Sequence, residues 1–227
     1  MLIEGGAYQG CWLESTGTIN NELLSRFCPN LATETFRLFA RHARTDGLIP
    51  YKILAGGPAW RQIQMVTPLA RSVWNHAALN GLLPGSGRDA DFLPEMYRAM
   101  TANDAWLATN RNTRQSGGVE AFCAFDTGHD LSPRFWHGSD TCPVGDPAAC
   151  DPDSPALPYI APDLTANVAC QRDYLARMAL ALGRIEEARQ WSDKAGQSRK
   201  ALMERCWHEA EGLFQDEDRH GRPVRVN

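Results

Sequence analysis

The sequence predicts an all-α fold of six helices. Two observations carry it: apolar residues recur at three- and four-residue spacing, and Pro, Gly, Asp and Asn punctuate those segments where helices start and stop. A third is that short and long connections alternate between the segments. The first helix is expected over Thr18 to Phe27, ended by Cys28-Pro29. Asn30 is a good N-cap for a second helix through Arg44, with Leu31, Phe36, Phe39, Ala40 and Ala43 on one face. Asp46-Gly47 stops it. Leu48 to Ala59 is extended, because Pro50, Gly56, Gly57 and Pro58 forbid helix. Thr67-Pro68 reads as an N-cap followed by proline in the first turn, opening a helix to about Leu82. A fourth helix is expected from Asp91 to Asn110. Residues 111–162 show no periodicity and are rich in Pro and Gly. Asp163 then caps a helix to Leu182 with an apolar stripe of Leu164, Val168, Leu175, Met178 and Ala179. A sixth runs from Ile185 to His208, its face built from Ala188, Trp191, Ala195, Leu202 and Cys206. The end of the chain reads as a hairpin or loop with Gly221 at a turn.

Composition narrows the function. The 227 residues carry 43% hydrophobic side chains, enough for a sizeable core, and a net charge of −4 from 23 basic and 27 acidic residues. The charges are mixed, so neither a nucleic acid nor an acidic tail is indicated. No apolar run is long enough for a membrane span, and the start MLIEGGAYQG lacks the pattern of a signal peptide, which points to a cytoplasmic protein. Of seven cysteines, Cys11, Cys28, Cys123, Cys170 and Cys206 read as small buried hydrophobes, while Cys142 and Cys150 bracket a loop that a disulfide would close in an oxidising compartment. No CxxC or HxxxH spacing indicates zinc, and neither metal nor cofactor is expected. Asp146, Asp151 and Asp153 read as turn formers that lack an EF-hand pattern.

The most informative stretch is Asp126 to Phe135, DTGHDLSPRF, inside the long loop. Pro133 restricts the residue before it to extended geometry and donates no backbone N–H, so the segment is a stiff loop presenting carboxylates among aromatic residues. A carboxyl group partly removed from water has a raised pKa, as a general acid requires. Turn-forming Asp and Gly alone give the same string without function.

The string resembles the E-S-G-x-D-x-S-P-R segment of the (α/α)6-barrel glycoside hydrolases: the family 63 α-glucosidases, the family 37 trehalases and the mannosylglycerate-hydrolase-like enzymes. Gly128, Asp130, Ser132, Pro133 and Arg134 match it, whereas Asp126 and Thr127 stand where the family has Glu and Ser. Further resemblances follow in family order. Trp12-Leu13-Glu14-Ser15 is similar to a W-D-S segment. Arg37 to Tyr51 is similar to a helix followed by D-G-x-I-P. Gln64, Pro68 and Trp74 resemble Q-x-P-x-x-x-W, and Asp163, Leu164 and Asn167 resemble D-L-N-A, with Thr165 in place of Asn. The resemblance runs from about residue 8 to residue 218.

It implies a partial (α/α)6 toroid, since such a barrel has twelve helices and this chain offers about half. It implies inverting hydrolysis of an α-linked sugar with Asp130 as general acid. The general base, a Glu near the end of the family's barrel, is expected outside this chain. Trp12, Trp60 and Trp136 are expected as walls of the sugar site, and Glu14, Gln64, Asp126, Asp163 and Asn167 as partners of sugar hydroxyls. Arg134, grouped with them, is expected to pair with a carboxylate and hold the loop. The chain alone is expected to turn over little substrate, and to self-associate or to need the missing half. Competing readings are a non-catalytic helical-repeat or sugar-binding module, and an epimerase, lyase or phosphorylase on the same scaffold.

Overall fold

The computed structural model describes residues 3–6, 8–86 and 88–225. Helix α1 covers residues 13–27 and contains a π-helical stretch, Thr16–Leu24, between short α-helical ends. It is followed by α2 (Pro29–Arg41), α3 (Leu69–Asn80), α4 (Phe92–Asn110), α5 (Pro162–Ala181) and α6 (Ile185–Ala201). A π turn, Leu202–Cys206, extends α6. The first core joins the inner faces of these helices through Phe36, Phe39, Val73, Phe92, Met96, Tyr97, Leu175, Met178 and Trp191. α1 packs on α2 and α3, α2 on α4, α3 on α5, and α5 along the length of α6. Helices thus pair as neighbours in sequence and as alternate neighbours in space.

Three short sheets punctuate the helices. β1 (Cys11–Trp12), β2 (Lys52–Leu54) and β3 (Gly57–Ala59) pair antiparallel, with Trp12 opposite Lys52. β4 (Glu120–Ala121) pairs with β5 (Tyr159–Ile160), pinching residues 111–162 near their ends. β6 (Trp207–His208) and β7 (Leu213–Phe214) form the hairpin expected near the end of the chain. A second core, including Ile63, Met65, Trp106, Leu107, Val119, Phe135, Leu164 and Val168, underlies the irregular segment.

The first helix begins at Leu13, earlier than periodicity suggests, and its winding is the reason. A π turn holds more residues than an α turn, so the 3.6-residue pattern dissolves. The loosened backbone is held by α3 and by its own polar residues. Ser72 Oγ donates to the Gly17 carbonyl at 2.6 Å, Ser25 Oγ to the Asn20 carbonyl at 2.9 Å, and Asn20 Nδ2 to the Ala32 carbonyl at 3.1 Å. Asn30 does not cap α2, which starts two residues earlier, with Cys28 as N-cap and Pro29 at its first position, and ends at Arg41, not Arg44. Thr67 does not cap α3, whose N-cap is Pro68. α6 and its π turn stop at Cys206, because Trp207–His208 is taken by β6. Cys28 is exposed, contrary to its reading as a buried hydrophobe, and Cys142 and Cys150 are free thiols. Asp146 caps the amide of Ala148 at 3.0 Å and Asp151 that of Asp153 at 2.9 Å, the turn-forming work expected of them.

His76 ties α1, α2 and α3 together. It is fully buried, with Nδ1 2.8 Å from Ser25 Oγ and Nε2 2.8 Å from Thr33 Oγ1. Burial lowers its pKa from 6.5 to about 4. A depressed histidine pKa stabilises the fold above pH 6.5 and gives up that stability as pH falls toward 4. The loss is expected to reach about 3 kcal/mol. Urea midpoints measured across this window should fall steeply in the native chain. They should fall less steeply in His76→Gln; equal slopes would show that other groups govern the acid response.

Candidate active site

Local chain geometry builds one wall of a cleft of about 470 Å³ from residues 62–64, the start of α1 and the tip of the irregular loop. Four of the residues expected from sequence meet there: Trp12, Glu14, Gln64 and Asp130. Glu4, Tyr8, Ser15, Gln62, Phe125 and Gly128 complete the lining. Trp12 is presented by β1, with Tyr8 edge-on at 5.9 Å and the Lys52 ammonium 4.5 Å above its ring. A cation on one face of the indole fixes the ring and leaves an apolar surface suited to stacking.

The cleft holds polar atoms without partners. Gln62 and Gln64 are 1% and 6% exposed, and the Oε1 atom of each accepts no hydrogen bond. The indole Nε1 of Trp12 donates none. Buried polar atoms left unpaired are costly and are normally satisfied, so their convergence on one cavity marks a place where a polar ligand supplies the partners. Gln64 also has φ +44°, a left-handed conformation that is strained for a residue with a side chain.

Two carboxyl groups in the cleft are pushed above their ordinary range. Burial does this to Asp130, helped by the negative charge of Asp140 and opposed by His129. Burial also raises Glu14, helped by the charges of Glu4 and Asp130. Glu4 accepts a short hydrogen bond from Ser15 Oγ. Gly128, two residues before Asp130, has φ +73°, and a Cβ there would lie 2.5 Å from Val66 Cγ2. The glycine therefore lets the loop pass Val66 on its way to Asp130.

Six other expected site residues stand behind or beside the cleft. Asp126 is fully buried. Its Oδ1 accepts from the Ile63 amide at 2.8 Å, its Oδ2 from the Phe122 amide at 2.9 Å, and its carbonyl from the Met65 amide at 3.0 Å. Asn167 Nδ2 donates to the carbonyls of Met65 and Val66 at 2.9 and 3.2 Å. Both side chains thus fasten the 62–66 segment that presents the two glutamines. Both carboxylate oxygens of Asp126 and the Nδ2 of Asn167 are drawn to backbone groups, which holds these side chains behind the cavity wall.

Arg134 also turns away from the cleft. Its Nε donates to Asp216 at 2.7 Å, and its two terminal nitrogens donate to Asp163 at 2.8 and 3.1 Å. One of them also donates to His129 Nδ1 at 3.0 Å. The loop carrying Asp130 is therefore clamped to the start of α5 through Asp163 and to the end of the chain through Asp216. Asp163 is engaged in this clamp and does not cap α5, whose N-cap is Ala161 and whose first position is Pro162. Trp60 is half-buried against the second core, and Trp136 is 84% exposed, so neither forms a cleft wall.

The sequence signals missed were Gln62, Phe125 and Asp216. Gln62 lies two residues before Gln64, and the left-handed turn at Gln64 lets both reach the cleft. Asp216 sits in QDED, where nothing marks one acid above another.

Among curated proteins no match to the chain is found. Solved structures match it closely in fold. A GH63 mannosylglycerate hydrolase from Thermus thermophilus in complex with Tris superposes with a TM-score of 0.80 at 15% identity, over 97% of this chain and 64% of that one. The same enzyme in complex with Tris and D-glycerate gives 0.79 at 15% identity, over 96% and 64%. A complex with glucose gives 0.78 at 18% identity, over 100% and 64%. The chain thus spans less than two thirds of the length of these structures, and its fold is that of a partial helical toroid. The family model of the mannosylglycerate hydrolase MGH1-like glycoside hydrolase domain matches residues 8–227, nearly the whole sequence, and this chain belongs to that family.

Proposed function

We propose that this glycoside hydrolase domain cleaves a small α-linked glycoside with inversion, and that Asp130 is its general acid. One observation carries the reading. A carboxyl group held above its ordinary pKa faces a cavity in which Gln62, Gln64 and Trp12 offer unpaired polar atoms. A raised pKa favours the protonated form, the one that can give its proton to the departing glycosidic oxygen. The cleft volume of about 470 Å³ lies within the ordinary range for small-ligand sites.

In this reading the sugar ring lies against Trp12, and its hydroxyls donate to Gln62 Oε1, Gln64 Oε1 and the Glu14 carboxylate. An inverting site also needs a base across the ring, about 6.5–9.5 Å from the acid, with a water between. We place that base outside this chain, on toroid helices that would cover the cleft mouth where Asp130 is now exposed. The name of the Thermus thermophilus enzyme and its complexes with D-glycerate and glucose make mannosylglycerate, D-glycerate and glucose the first compounds to try. The chain by itself is expected to bind them with little turnover. Efficient hydrolysis by the purified chain, abolished by Asp130→Asn, would place the base within it.

Binding gives the direct test. Titration with mannosylglycerate or glucose is expected to quench tryptophan fluorescence saturably. Trp12→Phe should remove most of the signal change, and Gln64→Ala should weaken affinity by about tenfold, the cost of one lost polar anchor in a buried site. Unchanged affinity in Gln64→Ala, or no saturable binding by the native chain, would defeat the placement of the sugar in this cleft.

A further inference from the structure

Three cysteines draw together the base of the loop that carries Asp130. Cys123 immediately precedes the turn Ala124–Asp126, while Cys142 and Cys150 lie on the returning strand of the loop. Cys123 and Cys142 are 0% and 1% exposed, with their Sγ atoms 3.9 Å apart. Cys150, at the half-buried edge, packs on the same pair. A carboxylate oxygen of Asp126 joins the two sulfurs, all three atoms lying within 4.8 Å of one another. Arg111 is fully buried between the rings of Trp106 and Phe122 and points at the same spot. It lies 3.7 Å from Cys142 Sγ and 3.6 Å from Asp126 Oδ2, and its Nε has no hydrogen-bond partner.

We propose that Cys123, Asp126 and Cys142 form a binding site for one zinc-like divalent cation that clamps the base of the acid-bearing loop, with an open fourth position. Distance favours this over a disulfide. Two thiolates on one tetrahedral zinc, each about 2.3 Å from the metal, stand about 3.8 Å apart. The observed sulfur separation is 3.9 Å. A disulfide between the same atoms, at about 2.05 Å, would require them to approach by nearly 2 Å.

Charge favours it as well. Two metal-bound thiolates and a carboxylate need compensating positive charge where water is excluded, and Arg111 supplies only part of it. A divalent cation together with Arg111 neutralises the buried Cys123, Cys142 and Asp126. Binding breaks two S–H bonds, forms two metal–sulfur bonds and releases two protons. Two sulfurs and an oxygen suit a borderline-soft cation, not calcium or magnesium. The spacing of the cysteines, far from CxxC, hides the site in the sequence. The site stands whether or not Asp130 is the acid.

Cobalt is the probe, because tetrahedral thiolate coordination gives it a visible d–d spectrum and a sulfur-to-metal charge-transfer band. The fully reduced chain is expected to bind one equivalent of Co²⁺ with both features, and Zn²⁺ should displace it. Cys142→Ser should lose the bands, and Cys170→Ser, away from the cluster, should keep them. Cys150→Ser, beside the cluster but outside its ligand set, should keep the bands. Cys123→Ser guards against misfolding: it should retain its far-ultraviolet circular dichroism yet show a shifted d–d envelope and weaker binding. No cobalt bands in the folded, reduced native chain would overturn the proposal. So would bands that survive in Cys142→Ser, or a Cys123–Cys142 or Cys142–Cys150 disulfide in the protein as purified with no metal uptake after reduction.

Discussion

Arg134→Ala is expected to destabilise the chain by about 3–5 kcal/mol, the usual cost of removing one partner from a buried ion pair. The side chain bridges Asp163 and Asp216, and the Asp216 carboxylate is only 3% exposed. Without the guanidinium, Asp216 would be left charged in a dry site. Burial already outweighs Arg134 and holds the Asp216 carboxyl above its ordinary value. A raised carboxyl pKa gives stability at low pH and loses it as pH rises through the folded-state value. Removing Arg134 raises that value further. The stability deficit of Arg134→Ala should therefore be largest at neutral pH and shrink on acidification, as read from urea midpoints at several pH values. Arg134→Lys keeps the charge but not the two-pronged geometry, and should recover part of the loss. A deficit that is small and independent of pH would show that the clamp does not hold the loop.

Asp130→Asn is expected to lower kcat/KM for an alkyl α-glycoside by ~10²–10⁴, the usual worth of a general acid. The measurement belongs on a toroid that turns substrate over. A nitrophenyl glycoside has a leaving group that departs with little protonation, so its hydrolysis should suffer far less. Equal losses on both substrates would argue that Asp130 shapes the cleft and donates no proton. The pH profile gives a second readout. Activity should fall as pH rises through the Asp130 pKa, because the acid then loses its proton. Asp140 is the charge that, after burial, helps hold that pKa up. Asp140→Asn should therefore move the basic limb of the profile to lower pH while leaving the plateau rate close to native.

These two side chains, Asp130 and Arg134, lie in the same short loop, and only one of them faces the cleft. Their roles separate because the chain turns at Pro133. Ser132 caps the short 3-10 turn Pro133–Phe135 through the Arg134 amide at 3.4 Å, which sends Arg134 toward Asp163 and Asp216 while Asp130 stays at the cleft. The string DTGHDLSPR thus encodes two tasks: presenting an acid and anchoring the loop that presents it.

Much of the helical fold was legible because its signals are local. Pro29 and Pro68 mark helix boundaries through backbone sterics, and the stripes of α2 and α5 follow from packing on one face. The start of α1 was not legible, because its π winding depends on a hydrogen bond from Ser72 on a helix far along the chain. The strands were not legible either. Segments of two or three residues have no measurable periodicity, and they form only where the helices bring their edges together.

The sequence by itself determined most of the helices, because periodicity and proline act within a few residues, and its motifs carried the resemblance to the family. Only the tertiary structure decided which polar side chains face the cleft. Asp126 and Asn167 look like sugar partners in the sequence, yet backbone amides and carbonyls of residues 62–66 claim them first. Gln62 looks ordinary, yet it is left buried and unpaired. A side chain's hydrogen-bond partners are chosen by what the fold places within about 3 Å, and residue order along the chain carries no record of that choice.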